Sequence, residues 1–316
     1  MDQNNAAAAP KNNAAKFVFF YLLELVSLGF MTVSFGIVLF QMINKNIADV
    51  VTGYSGSFDQ GALKFAISAL LVSTPIFYVI GMFIQKSLFK GELKKDSGIR
   101  RWLTYLILFV SFLIFVGWLI AFINNFLNGE VTLKFILKTI SVLAIAGAVF
   151  GFYLYDIRRE AVENIKDKIL KIFFIASLSA VVIVFVASFF VVESPAIARD
   201  RKLDDQVINS FGTIYQCVDQ YYREKNNLPA DFSAIQGDCS YLAADNLKDA
   251  QTGQAFVYSV IGTTTYQICA NFRTSNLGKA NNPLGAVPVT VGANSSAHDK
   301  GHQCLKRQVY PAIKGN

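Results

Sequence analysis

Residues Ile172–Val192 read IFFIASLSAVVIVFVASFFVV, Glu193-Ser194-Pro195 follow, and residues 198–227 continue as ARDRKLDDQVINSFGTIYQCVDQYYREKNN. The first stretch carries no charge. As a helix rising about 1.5 Å per residue it matches a hydrocarbon core of roughly 30 Å. In the second, Leu203, Val207, Phe211, Ile214, Val218 and Tyr222 step by four, four, three, four and four, while Arg201, Asp205, Asp219 and Arg223 fall on the opposite side. That is the period of a helix with one apolar face in water. The join at residue 193 therefore separates a lipid-soluble half from a water-soluble half.

Composition agrees with this division. The 316 residues are 53% apolar and 16% charged, with mean hydropathy +0.40, far from the roughly 25% charged residues of soluble domains. Four further stretches meet the length and apolarity of a membrane span: Phe17–Ile43, Leu63–Ile84, Trp102–Phe126 and Val131–Tyr155. With Ile172–Val192 they predict a bundle of five transmembrane helices over residues 17–192. Residues 1–16, rich in Asn and Ala, are expected to be a disordered cytoplasmic tail.

Lys and Arg set the expected direction. The tail and the loops after spans two and four hold 13 of them, against 4 on the other side. The basic side is expected to be cytoplasmic. This places the N-terminus inside and residues 193–316 outside, in a bacterial cytoplasmic membrane. Basic clusters beside spans read as topology and contact with membrane lipids, and no nucleic-acid partner is expected. All four cysteines, Cys217, Cys239, Cys269 and Cys304, lie in the outer segment, as an oxidising compartment would favour. Of three possible connectivities the expected one is Cys217–Cys239, stapling a helix to the loop behind it, with Cys269–Cys304 joining two strands. The other two stay open.

Glu24 is the one carboxylate inside a predicted span, and an ionisable group at that depth is a candidate for function. It reads either as an anchor bonding Tyr21 or a neighbouring helix, or as a group that handles ions or protons, with anchoring preferred. Lys138, near the outer end of span four, is expected to extend outward. Pro75 is expected to kink the helix of span two, with Ser73 and Thr74 beside it to satisfy freed backbone groups. No His, Cys or paired carboxylate lies in a predicted span, and no phosphate-binding or dinucleotide fingerprint occurs. These observations, with no nucleophile–base set, predict a protein that is not an enzyme and has no catalytic residues and no cofactor.

Residues 193–316 predict an α+β domain. The long helix is followed by a short helix or turn at ADFSAIQGDC, a strand pair AFVYSV and YQICANF turned by IGTTT, a long exposed loop over 273–302, and a last strand QCLKRQV. His298 and His302 precede Cys304 in a spacing that could hold zinc or copper. The preferred reading is two exposed loop histidines beside a disulfide cysteine, with no metal.

A span running into an amphipathic helix, a Leu228-Pro229 break, then Asp249, a Gly253 turn, and Phe256 and Tyr258 opening a hairpin resembles the periplasmic domain of type II secretion pseudopilins and related type IV pilin-like proteins over roughly residues 170–272. The resemblance implies a pilin-like extracytoplasmic domain used for binding or assembly at the cell surface, with protein partners there or self-association. Span five lacks the leader, peptidase site and early Glu of pilins. Residues 14–192 are similar in hydropathy and loop pattern to an uncharacterised bacterial membrane-helix family described as a domain of unknown function. The expected function is a non-enzymatic membrane anchor for the outer domain. The alternative is a transporter, channel or sensor that works through the bundle and Glu24.

Overall fold

The computed structural model describes residues 14–47, 57–91, 98–159, 167–277 and 295–310. The expected tail, most of the 273–302 loop, and Lys94, Lys95 and Lys166 of the basic loops lie largely or wholly outside them. The chain divides into two compact units, Met1–Val192 and Glu193–Asn316.

The first unit holds five helices long and apolar enough to cross a membrane: α1 (Ala14–Asn46), α2 (Gln60–Phe89), α3 (Gly98–Leu127), α4 (Leu133–Arg158) and α5 (Lys168–Ser188). Each overruns or shifts from its predicted span, because apolarity marks the lipid-soluble stretch whereas capping sets the ends. Asp59 accepts from the amides of Gly61 and Ala62 to start α2, and Thr132 caps α4. Asp167 starts α5 four residues before the predicted span. Backbone turns close onto Ser188 and end α5 early, so Phe189–Val192 are not helical span.

Helix α1 packs against all four of the others. Leu28, Met31, Leu70, Phe77, Ile107 and Tyr153 form the largest apolar cluster in this unit. Large apolar side chains also cover its exposed surface, among them Phe109, Leu113, Ile120, Ile172 and Ile183. Such a belt is far larger than soluble surfaces carry and suits contact with hydrocarbon. Helix α2 runs through Pro75 without interruption. The hydroxyls of Ser73 and Thr74 make no hydrogen bond, so the expected repair of the backbone by these side chains is not found. A Cβ built on Gly36 or Gly81 would meet Ile145 or Phe174 at ordinary contact distance, so both positions lie against a neighbouring helix without excluding a small side chain.

In the second unit α6 (Pro195–Lys225) begins at Ser194, whose side chain caps Ile197, with Pro195 at the first helical position. It ends at Asn226 in a left-handed conformation, φ 57°. A single-turn helix α7 (Ser233–Gln236) and a 3₁₀ turn (Ala244–Leu247) lead into β1 (Val257–Val260), β2 (Thr265–Phe272) and β3 (Gly301–Gln308). These form an antiparallel sheet in the order β1-β2-β3, with Val257 opposite Cys269 and Cys269 opposite Cys304. Val207, Phe211, Ile214 and Val218 of α6 pack on Phe256, Tyr266, Ile268 and Phe272. Phe211 meets Phe256 edge-on at 5.0 Å between centroids. Tyr258 packs against this core and Tyr241 stays exposed.

Candidate functional site

The polar groups of the bundle converge between α1, α2, α3 and α4. Tyr21 and Glu24 stand one turn apart on α1, Tyr153 and Asp156 one turn apart on α4, and Arg100 and Thr104 one turn apart on α3. Arg100 is 2% exposed; its Nη2 donates to the Asp156 carboxylate at 2.7 Å and to the Asp156 carbonyl at 2.9 Å. Arg159 also donates to Asp156, and to Gln85 Oε1 at 3.2 Å, and lies 3.7 Å from Asp167. Asp167 in turn accepts from the Tyr155 hydroxyl at 2.9 Å. Partial burial disfavours the Asp167 charge. The Tyr155 hydroxyl, the amides of Leu170 and Ile169, and Arg159 outweigh this and hold its carboxyl below the usual range.

Glu24 makes no ion pair among the described residues. It lines a cavity of about 20 Å³ with Tyr21, Gln85, Thr104, Tyr153 and Asp156. Its Oε1 would lie 3.6 Å from a Cβ built on Gly81, which places the carboxyl against α2. The hydroxyls of Tyr21 and Tyr153 are both at least nine-tenths buried; among the described residues that of Tyr21 has no hydrogen-bond partner and that of Tyr153 stands against Glu24 alone. The sequence counts no paired carboxylate within a span because predicted span four stops at Tyr155. Helix α4 continues to Arg158 and brings Asp156 to the same cavity as Glu24. Arg100 and Asp156 are missed by a charge count, which treats residues at span ends as solvated. Their only sequence signal is a carboxylate on the Tyr153 face of α4 beside a run of basic residues.

Lys138 is 7% exposed, and its Nζ lies 5.4 Å from the centre of the Phe40 ring on α1. An ammonium over an aromatic face is stabilised where its chain is packed.

In the second unit, Cys217 lies at bonding distance from Cys239 (S–S 2.00 Å) and Cys269 from Cys304 (2.06 Å). Cys269, His302 and Cys304 also lie close enough together to hold an ion, but the two sulfurs bond each other. His298 is not the exposed loop residue expected. It is 4% exposed, stacks on Phe272 with centroids 3.8 Å apart, and its backbone exchanges hydrogen bonds with Asn276. Only His302 of the pair is exposed, so the two do not make one site.

Two buried carboxylates organise the chain after β2. Asp204, 1% exposed on α6, accepts from the amides of Arg273 (2.9 Å) and Thr274 (2.7 Å) and from the Thr274 hydroxyl (2.7 Å). Asp249 accepts from the amides of Gln251 and Thr252 at 2.9 Å and from Arg273 Nη2 at 3.0 and 3.1 Å. Burial works against the Asp249 charge. The two amides and Arg273 prevail and hold its carboxyl below the usual range. Gly253, φ 69°, closes that turn in a conformation only glycine adopts freely. Asp204 is absent from the sequence reading, although it falls in phase with Val207, Phe211 and Ile214.

No curated protein and no solved structure matches the chain. One family does match part of it, and it includes Tyr21, Glu24, Gln85, Arg100, Thr104 and Tyr153 while stopping short of Asp156, Arg159 and α5. Residues 18–153, covering most of α1 to α4, match the family described as a domain of unknown function, DUF5671.

Proposed function

We propose that this chain is a non-enzymatic integral membrane protein whose five-helix bundle anchors a pilin-like, disulfide-stapled domain for binding or assembly at the bacterial cell surface. The charge asymmetry of its loops supports a cytoplasmic N-terminus and an extracytoplasmic domain. The observation that carries the reading is the edge strand of the sheet. β1 pairs only with β2 among the described strands, and its Val257 and Val260, with Ile261 just beyond, are about half exposed. A short apolar edge strand is the feature that strand addition from a partner uses.

The test is a photo-crosslinking amino acid placed at Val260 in the full chain, in native membranes, with Arg223 on α6 as the control position. A crosslinked species of one defined mass at Val260, lost in Val257→Asp, supports the reading. Equal or absent crosslinking at both positions overturns it. Labelling of residue 316 from the cytosolic side overturns the orientation.

A second reading, ion or solute handling by the bundle, is favoured by the Glu24 cavity. Proton or ion flux in reconstituted vesicles should then be lost in Glu24→Gln, and flux unchanged from wild type would remove it.

A further inference from the structure

We propose that Glu24, Tyr21 and Tyr153 form a buried binding site for one small monovalent metal cation ligated by oxygen, a sodium ion. The proposal deepens the second reading and takes from it the importance of Glu24. It is tested by binding rather than flux, so either can fail without the other.

Three observations lead to it. The first is charge. Among the described residues around the cavity and its ion-pair chain stand three carboxylates, Glu24, Asp156 and Asp167, and two guanidiniums, Arg100 and Arg159. Asp156 and Asp167 receive guanidiniums. Glu24 has no ion-pair partner among the described residues, and ionising a carboxyl at this depth in a low-dielectric surround is strongly disfavoured. A cation beside it removes that penalty.

The second is the ligand set. The phenol hydroxyls of Tyr21 and Tyr153 are buried; among the described residues that of Tyr21 has no hydrogen-bond partner, and that of Tyr153 meets no group but Glu24 itself. Buried hydroxyls are rarely left so, and their lone pairs are neutral oxygen donors of the kind that, with one carboxylate, ligate a hard monovalent ion. Thr104 adds a further hydroxyl to the lining. The third is size. The cavity of about 20 Å³ admits one particle as large as a water molecule and no organic solute.

The groups facing Glu24 are Tyr21 on α1, Gln85 on α2, Arg100 on α3, and Tyr153, Asp156 and Arg159 on α4, with Asp167 at the start of α5 behind Arg159. Among them Glu24 alone combines a titrating carboxyl with freedom from an ion pair. Tyr153→Phe removes one donor and preserves the ring.

The experiment measures thermal unfolding of the full-length protein in zwitterionic-lipid nanodiscs. Sodium chloride is exchanged for choline chloride at constant ionic strength, and pH is varied from 8 to 6. A sodium site gives a wild-type Tm that climbs with the logarithm of Na⁺ concentration, with the climb weakened in Tyr153→Phe and absent in Glu24→Gln. A Tm that rises as pH falls with no sodium response overturns the proposal, because protonation then neutralises Glu24 without a metal ion. Equal sodium responses of wild type and Tyr153→Phe overturn it as well. Dialysis of the wild-type protein against ²²Na⁺ should retain about one ion per chain, and none retained overturns the proposal without any variant.

Discussion

Arg100 on α3 and Asp156 on α4 are joined by a buried ion pair at 2.7 Å in which the guanidinium also reaches the Asp156 carbonyl. The same carboxylate receives Arg159, so one acidic side chain holds two cations at the basic end of the bundle. Removing a partner from a buried, hydrogen-bonded pair typically costs about 3–5 kcal/mol. Asp156→Ala is therefore expected to lower the unfolding temperature of the full chain in detergent far more than Arg158→Ala, an exposed basic change on the same turn. Equal effects would show that the pair contributes nothing beyond surface charge.

Asp204 supplies acceptors for two backbone amides and one hydroxyl after β2. Charge-assisted hydrogen bonds of this kind are worth about 1.5–3 kcal/mol each. In Asp204→Ala the amides of Arg273 and Thr274 should exchange with solvent much faster while the Phe211 region of α6 stays protected. Hydrogen exchange with mass spectrometry reads both segments, and protection retained at 273–274 would refute the assignment.

Asp219 responds to pH in the opposite sense from Asp249. Burial pushes its carboxyl up, and Arg307 and Arg223 offset this only in part. A carboxyl raised in the folded state destabilises that state when ionised, so its penalty is present above the folded value and disappears below about 4, the unfolded value. Asp219→Asn should thus raise Tm at pH 7 and leave it unchanged at pH 3. For Asp249, lowered in the folded state, stability is present at neutral pH and lost as pH falls through about 4 and below. Asp249→Asn should flatten that acid limb. Thermal scans at the two pH values decide both.

The two sulfur pairs close separations of 22 and 35 residues. Constraint of the unfolded chain over such loops is worth about 3–4 kcal/mol each. Non-reducing peptide mapping of the full chain should recover 217 linked to 239 and 269 linked to 304. Reductant should lower the melting of the second unit and leave the helix signal of the bundle intact. Four free thiols in protein from native membrane would contradict the pairing.

Hydropathy and the 3.6-residue period were enough to find the five apolar helices, the amphipathic helix α6 and its packed face, and the strand pair around IGTTT. Burial of apolar surface is a property of each segment's own composition, whatever it packs against. Partnership between polar groups is not. Tyr21, Glu24, Arg100, Tyr153 and Asp156 are spread over 136 positions and meet because α1 packs against both α3 and α4. Asp204 reaches Arg273 across 69, and His298 turned inward onto Phe272 where its neighbours suggested a surface loop. A charge near a helix end reads the same in one dimension whether it will face water or a carboxylate on another helix. Desolvation makes the difference, and desolvation exists only once the helices have packed.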